Sequence, residues 1–449
     1  MTTVGGMSWF FAGDEGYDSE IAGFQTAFRH RPSAVVAAES ADDVAEAVTY
    51  AGARGLRVAV QATGHGALAP ADGVLVSTRR MAGVRIDPVA RTAWVEAGAR
   101  WSAVIEQAAA YGLAPLSGSS PSVGAVGYTV GGGIGLLGRQ FGYTADHVTA
   151  LDVVTADGRR RHVTAASEPD LFWALRGGRD LLGIVTGLEV ALVPMAVVHG
   201  GGLYFDAAHA TAVLSAFRDL TAPETAQETA PETLTASVGM VGLPTVVAIE
   251  EPLRGKHVLH VRLASTVPVD PALLDALRAA GPRLVDRVGP VPVTDVGSIY
   301  GEPDFPHAYV GDNVLLDSLP QELLDAVFTL AGPAAAVPCV VDLRHLGGAM
   351  ASEPAVPNAV PYREATHILR VLSPVGDLDA VRPVHRAVFA AAAPFTIGRA
   401  APFRYGPPDQ DSALPVPYDP VTWSRLSQLR SNLDPEGRFL SVVDANMCS

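Results

Sequence analysis

Apolar positions in the N-terminal part of the chain follow two different spacings. Short apolar runs that are typical of strands occur at residues 32–38, 57–62 and 73–77. Between the first two runs, Val44, Val48 and Ala51 recur at helical spacing, and Ser40 with Asp43 fits a capping box at the start of that helix. The order strand, helix, strand predicts an α/β beginning.

Similar apolar patterns continue over the rest of the chain. They predict strands at 84–86, 92–96, 148–155, 160–163 and 183–193, and helices at 100–111 and from a capping box at 167–170 through Leu175. After Pro194 they predict strands at 247–250, 258–263, 340–343 and 368–372, helices at 271–280, 320–331 and 421–433, and an exposed loop at 221–233. This mixture is typical of an α+β second domain.

Two glycine-rich stretches interrupt the apolar patterns. The first, residues 61–68, places His65 between Gly64 and Gly66 at the end of a predicted strand, where the backbone can turn tightly and approach a bulky ligand. The second, residues 118–135, has seven glycines in eighteen residues, which suits backbone packed on backbone or on a flat ligand with phosphates. It is neither a P-loop nor a dinucleotide-binding Rossmann turn. A structural role for His65 and for this segment remains the alternative.

Composition narrows the class of protein. The 449 residues are 48% hydrophobic and 18% charged, which is typical of a globular protein, and the net charge of −15 argues against a nucleic-acid or anionic membrane partner. The two cysteines, Cys339 and Cys448, suit neither a disulfide framework nor a metal site. No signal peptide or transmembrane segment is evident in the sequence, so a soluble, cytoplasmic protein is expected.

Several motifs together resemble the FAD-linked oxidases of the vanillyl-alcohol oxidase and berberine bridge enzyme type. Ala62-Thr63-Gly64-His65 resembles the first glycine loop of that family, and residues 118–135 resemble its second glycine segment. Other matching stretches are 141–143 with Asp146, 155–158, 170–178, 183–186, 344–349, 361–363 and Asp434-Pro435 with Phe439. Their order and spacing carry the resemblance over nearly the whole chain.

The resemblance implies an α+β fold with a two-part, PCMH-type FAD-binding domain and an α+β substrate domain built on an antiparallel sheet. The expected boundaries are 1–196 for FAD binding, 197–396 for substrate binding, and 397–449 for the return to the FAD domain. It also implies that His65 is bonded covalently to the flavin. Further FAD contacts are expected from Ala62, Thr63, Gly64, Gly66, Gly118, Ser119, Ser120, Val123, Gly124, Gly127, Tyr128, Gly132, Gly183 and Val185.

Three departures from the family pattern matter. Ser120 stands where many relatives carry a second flavin-linking cysteine, so attachment through His65 alone is expected. The stretch 177–183 differs from the usual sequence beside the flavin. Phe403 stands where many relatives have a catalytic tyrosine. Tyr405, Tyr418 and Tyr128 are therefore candidates for the base, and a base in the substrate domain is the alternative.

The function implied by the resemblance is that of an oxidase. FAD would take a hydride from an alcohol, amine or activated C–H of a small molecule and pass the electrons to O2, giving H2O2. An Ala-, Gly- and Arg-rich composition with little lysine suggests a high-GC bacterium. Because relatives of that origin often tailor natural products, the resemblance implies a natural-product substrate. The alternatives are an FAD-containing cyclase or isomerase with no net redox change, and a non-catalytic flavin-binding protein. No metal is expected, and the oligomeric state is left open.

Overall fold

The computed structural model describes residues 2–4, 7–66, 71–222, 230–406, 409, 411 and 413–441. Ala67 and Leu68 of the first glycine-rich stretch, the centre of the loop expected at 221–233, and Cys448 lie outside these residues. The described residues form four β-sheets and a set of helices that cover them.

Strands occur along the whole described part of the chain. In chain order they are β1 Thr2–Val4, β2 Met7–Phe10, β3 Ala34–Ala37, β4 Val58–Gln61, β5 Val74–Ser77, β6 Val84–Asp87, β7 Thr92–Glu96, β8 Leu113–Ala114, β9 Val148–Val154, β10 Arg160–Thr164, β11 Ile184–Ala191, β12 Val193–Pro194, β13 Val197–Asp206, β14 Leu234–Gly242, β15 His257–Ser265, β16 Arg283–Asp286, β17 Gly289–Pro292, β18 Tyr309–Leu316, β19 Val340–His345, β20 His367–Pro374 and β21 Thr396–Gly398.

The α-helices are α1 Tyr17–Ile21, α2 Ala41–Gly52, α3 Trp101–Ala109, α4 Ala125–Thr129, α5 Gly138–Phe141, α6 Pro169–Leu175, α7 Ala210–Leu220, α8 Pro271–Ala279, α9 Gln321–Ala331, α10 Leu378–Ala392 and α11 Pro420–Leu433. Short 3-10 turns occur at Thr144–His147, Ala207–His209, Val293–Ile299, Gly348–Ala351, Ala393–Phe395 and Ala401–Phe403.

The first sheet has the order β1-β2-β3-β5-β4, and its strands β3, β5 and β4 run parallel. Helix α2 links β3 to β4, and the capping box between Ser40 and Asp43 at its start is confirmed. Near the end of the chain, Val58 on β4 exchanges backbone hydrogen bonds with Arg438 and Leu440 at 2.7 and 2.8 Å. The outer edge of this sheet is therefore held by a segment from the far end of the sequence.

The second sheet, β10-β9-β11-β7-β6, is antiparallel throughout. Its β9–β10 hairpin turns at Asp157 and Gly158, as the sequence predicts. The capping box expected at the start of α6 is wrong. The N-cap residue is Glu168, with a φ of 56° and no side-chain cap, and Pro169 starts the helix. Ser167, the expected cap, belongs to the preceding turn, in which its N–H donates to the Thr164 carbonyl. Strands β8 and β12 form a separate two-stranded sheet.

The fourth sheet has nine strands, in the order β16-β13-β15-β14-β19-β20-β18-β21 with β17 beside β13, and all pairings are antiparallel. One face packs its apolar residues against α7, α9 and α10, for example Leu343, Leu369 and Val261. Burial of each such side chain contributes about 1.5–3 kcal/mol. Alternate residues on the strands point to the opposite face, which is polar and faces the glycine-rich segments.

The strand expected at residues 247–250 is wrong. These residues form turns, with Ile249 N–H bonded to Val246 O at 3.0 Å and Leu253 N–H to Glu250 O at 3.0 Å. Strands β1–β12 build the first three sheets and β13–β21 build the fourth. The boundaries at 196 and 396 remain predictions.

Candidate active site

A cavity of about 980 Å³ lies between the two glycine-rich segments and the polar face of the fourth sheet. Most predicted site residues line it: Ala62, Thr63, Gly64, His65, Gly66, Gly118, Ser119, Ser120, Val123, Gly124, Gly127, Tyr128, Gly183, Val185 and Tyr405. Gly132 and Tyr418 are not part of its lining. The tertiary structure thus gathers both glycine-rich stretches and two of the three tyrosine candidates, Tyr128 and Tyr405, at one site.

The His65 imidazole is held on all sides in this cavity. Its Nδ1 lies 2.9 Å from Thr63 Oγ1, and its Nε2 lies 3.0 Å from Ser122 Oγ. The ring stacks on Phe24, with ring centroids 3.8 Å apart, and the Tyr309 hydroxyl donates to the His65 carbonyl at 2.8 Å. Such contacts fix both the position and the plane of the ring.

Burial lowers the pKa of the His65 imidazole to about 4, and the positive field of Arg100 and the neighbouring His307 add to this shift. The ring is therefore neutral at pH 7, which leaves a nitrogen lone pair available. A neutral ring nitrogen is the form that acts as a nucleophile or accepts a hydrogen bond.

Gly64 sets the path of the backbone before His65. Its φ is +72°, and a Cβ at this position would lie 2.6 Å from Gly23 Cα. Only glycine adopts that conformation without strain and permits this close approach of two backbone segments. The first glycine-rich stretch is therefore shaped by backbone packing as well as by its place in the cavity.

Ser120, at the position of the second flavin-linking cysteine of many relatives, belongs to the group of hydrogen-bonded side chains around His65. Its hydroxyl lies 2.9 Å from the Ser122 hydroxyl, which in turn contacts His65 Nε2. Cys339 is buried, does not line the cavity, and lies 3.5 Å from Ser373 Oγ. Sequence reasoning missed Ser122, although its place two residues after Ser120 in the glycine-rich segment was a usable signal.

The three tyrosine candidates have different surroundings. Tyr418 is fully buried, and its hydroxyl donates to the Gly177 carbonyl at 2.9 Å. Tyr128 lines the cavity and packs edge-on against Trp101, and burial raises the pKa of its phenol. Burial also raises the pKa of Tyr405, whose ring lies 5.2 Å from that of Tyr309. Because burial raises the pKa of Tyr418 as well, all three phenols are protonated at neutral pH.

A cluster of charged side chains covers the polar face of the fourth sheet. Asp342 accepts hydrogen bonds from Arg262 Nη2 at 2.6 Å, from Arg344 Nε at 2.7 Å and from Arg370 Nε at 3.0 Å. All four residues are buried and line the cavity. Burial by itself raises the pKa of Asp342, but the three guanidinium groups outweigh it and hold that pKa well below its usual range.

The strand register explains this cluster. His260 on β15, Gly239 on β14, Asp342 on β19 and Arg370 on β20 are successive cross-strand partners, so they form one row on one face. A Cβ at Gly239 would lie 2.8 Å from Arg262 Nη2, so glycine leaves the room in which that guanidinium lies against the sheet. Charged residues within otherwise apolar strands were the signal from which sequence reasoning could have found this cluster.

Glu302 links the cluster to the second glycine-rich segment. The Ser119 hydroxyl donates to Glu302 Oε1 at 2.9 Å, and Arg344 Nη2 lies 3.8 Å from the same oxygen. The Glu302 side chain is 34% exposed and lines the cavity. It is held by a neutral hydroxyl and one distant guanidinium, whereas Asp342 is engaged by three guanidinium groups.

The residues present fit FAD. The cavity is large, its lining combines apolar surface with backbone of two glycine-rich segments, and it contains a neutral, immobilised imidazole. The Tyr128 ring also lines the cavity beside the second glycine-rich segment, where a flat ligand would contact it. In the described residues, no group of three or more His, Cys, Asp or Glu is placed to hold a metal ion, and no helix is long and apolar enough to cross a membrane.

Comparison with known proteins agrees with this geometry. Residues 32–164 match the family described as "FAD binding domain". The chain is similar to (R)-6-hydroxynicotine oxidase of Paenarthrobacter nicotinovorans, with 33% identity over 182 residues, which are 40% of each chain. It therefore spans well under half the length of that curated relative.

Solved structures are similar over nearly the whole chain. Carbohydrate oxidase from Microdochium nivale, in complex with a substrate analogue, has a TM-score of 0.82 at 19% identity and covers 98% of this chain and 97% of its own. BBE-like 1 of Physcomitrella patens has a TM-score of 0.80 at 19% identity, with 98% and 96% covered. The FAD-binding domain and the α+β fold expected from the sequence are confirmed.

Proposed function

We propose that this chain is an FAD-dependent oxidoreductase in which FAD is attached covalently through His65 and through no cysteine. Its substrate is a small molecule, a natural-product intermediate, that loses a hydride and a proton from an alcohol, an amine or an activated C–H. O2 takes up the two electrons and two protons and becomes H2O2. The proposal extends to the other predicted FAD contacts that line the cavity, and Gly132, which does not line it, is left out.

The observation that carries the proposal is the state of His65. A neutral imidazole, fixed between Thr63, Ser122 and Phe24 at a glycine-lined cavity, can act as a nucleophile, and this supports covalent attachment. The matched FAD-binding domain contains this residue. When bound, FAD supplies the hydride acceptor, and the protein supplies binding, orientation and proton transfer.

Proton transfer at this site falls to Glu302. Its carboxylate faces the cavity and is held at one oxygen by the Ser119 hydroxyl, whereas Asp342 is neutralised by three arginines. Tyr405 keeps its proton at neutral pH, because burial raises its pKa, and it donates a hydrogen bond more readily than it accepts a proton. We assign Glu302 as the general base and Tyr405 as a donor that orients the substrate.

The test is the visible spectrum and intact mass of the purified protein before and after acid denaturation. Yellow colour and an FAD mass that stay with the denatured chain, and that are lost in His65→Ala, support the attachment. His307→Ala is the matched control, since His307 lines the same cavity and stacks edge-on against Phe24. Flavin released from the denatured wild-type chain refutes the covalent bond, and protein that stays colourless with added FAD refutes the whole proposal.

A redox-neutral reaction, such as a cyclisation or isomerisation, is the second candidate. It is favoured by Phe403, which occupies the expected position of the tyrosine base and packs under the Arg370 guanidinium, 4.6 Å from its ring centroid. Oxygen consumption with turnover of substrate separates the two functions. An oxidase consumes one O2 for each substrate, whereas a cyclase or isomerase consumes none.

A further inference from the structure

The polar face of the fourth sheet carries more positive than negative charge. Three buried guanidinium groups, of Arg262, Arg344 and Arg370, meet one buried carboxylate, that of Asp342. If Glu302, 3.8 Å from Arg344, is counted as a second negative group, one positive charge is still unmatched. Since the whole chain has a net charge of −15, this local excess runs against the overall composition.

Two buried polar atoms of this cluster also lack partners. The Nε of Arg262 is buried and makes no hydrogen bond among the described residues, and the same holds for Nε2 of the neighbouring His260. Both residues are more than nine-tenths buried and line the cavity. A buried guanidinium N–H without an acceptor is costly, and an anionic oxygen is the acceptor that it binds most strongly.

Some exposed residues that line the same cavity are apolar. Val246 and Phe305 are 48% and 60% exposed, although both are large hydrophobic residues, and they line the cavity together with Pro244, Ile249 and Leu253. The turns at residues 247–250, found where the sequence predicts a strand, belong to this part of the cavity wall. A ligand that reaches from the arginine cluster to these residues therefore meets positive charge at one end and apolar surface at the other.

We propose that the substrate is an organic acid, whose carboxylate binds at Arg262 and Arg370 beside His260 and whose apolar body, an aryl or alkyl group, extends to Val246 and Phe305. The inference rests on the proposed function, since it names the substrate class of that site. A neutral sugar or an organic cation would leave the excess positive charge unmatched.

The experiment is calorimetric titration of the flavin-loaded enzyme at pH 8 with 4-phenylbutanoate, octanoate and decanoate, and with the amide of each acid. A charge-assisted hydrogen bond predicts that the acids bind about 10- to 100-fold more tightly than their amides. In Arg262→Gln this preference is lost, and the affinity for the amides is unchanged. Arg262→Lys, which keeps the charge but not the planar donor group, is expected to retain part of it.

Arg287→Gln is the matched control. Arg287 also lines the cavity, but its side chain is 57% exposed and it is paired with Glu250 at 2.7 Å, so its loss leaves the preference for acids intact. Equal affinity of acids and amides, or no binding of any of the three acids, overturns the inference. So does loss of bound FAD in Arg262→Gln with an unchanged preference for acids, which would assign the cluster to the cofactor.

The outcomes separate this inference from the proposed function. A yellow enzyme that binds acids and amides equally keeps its function as an FAD enzyme and loses the substrate class. If the protein stays colourless with added FAD, the same titration is made on the colourless form, and a preference for acids there keeps the carboxylate site while the oxidoreductase function is lost.

Discussion

Asp342→Asn is expected to destabilise the folded chain strongly, although the two side chains have almost the same shape. Asp342 is 2% exposed and accepts hydrogen bonds from Arg262, Arg344 and Arg370 at 2.6–3.0 Å. The substitution removes the one buried carboxylate of this cluster and turns one of its acceptor oxygens into a donor. The three guanidinium groups then remain close together, with Glu302, 3.8 Å from Arg344, as the nearest negative group that the cluster retains.

The magnitude follows from this geometry. Removing one partner of a buried ion pair costs about 3–5 kcal/mol, because the remaining charge is left uncompensated. Three partners lose their acceptor here, which raises the cost, whereas the open cavity on one side of the cluster admits solvent, which lowers it. We therefore expect a loss of about 3 kcal/mol in the free energy of unfolding.

Asp72→Asn is the matched control. Asp72 pairs with Arg57 at 2.7 Å, but the side chains are 66% and 51% exposed. An exposed pair contributes about 0–1 kcal/mol, so the same chemical change should have little effect there. Because both aspartates are paired with arginine but only Asp342 is buried, comparing the two substitutions isolates the effect of burial.

Urea denaturation at pH 7, followed by tryptophan fluorescence at equal flavin content, measures both variants against the parent. A shift of the midpoint without a change in slope reports stability alone. Two results would refute this expectation: a loss in Asp342→Asn of less than about 1 kcal/mol, the upper value for an exposed pair, or a loss no greater than that in Asp72→Asn.

Three further substitutions test other parts of the structure. Tyr418→Phe leaves the Gly177 carbonyl without its donor and should cost about 1–3 kcal/mol in a urea titration with turnover unchanged; a large fall in turnover at equal flavin content would instead make Tyr418 the base. Burial lowers the pKa of His385 to about 4, whereas the same side chain in the unfolded chain takes up a proton below about pH 6.5. As the pH decreases from about 6.5 to about 4, the free energy of unfolding therefore falls by about 1.4 kcal/mol per pH unit. His385→Gln should reduce this pH dependence of the free energy of unfolding. Equal pH dependence in the variant and the parent would show that His385 does not cause it. Ser122→Ala removes the contact to His65 Nε2 and should slow covalent FAD incorporation into apoprotein; an unchanged rate would show that this contact does not orient the ring.

Local sequence patterns determined much of the FAD-binding part. The Ser40 capping box, the Asp157-Gly158 hairpin and the strand before His65 depend on neighbours within a few residues, and the structure has them. The glycine-rich stretches were recognisable because glycine in such number is unfavourable in helices and strands unless backbone or ligand approaches closely. Where other contacts competed, local patterns gave wrong answers, as at Ser167 and at residues 247–250.

The assembly of the site was decided by the tertiary structure. Arg262 and Asp342 are 80 residues apart in sequence, and Asp342 and Arg370 are 28 apart, yet strand pairing places them in direct contact. A period of two predicts that alternate residues share a face, but it does not say which strands become neighbours. Ser122 and Glu302 likewise acquire their roles from long-range packing. The sequence by itself determined the α+β class and the place of His65 between two glycines at the end of a strand, because these depend on local backbone chemistry. Only the tertiary structure decided which charged groups face His65 across the cavity, because strand order and domain packing bring together residues that no local pattern connects.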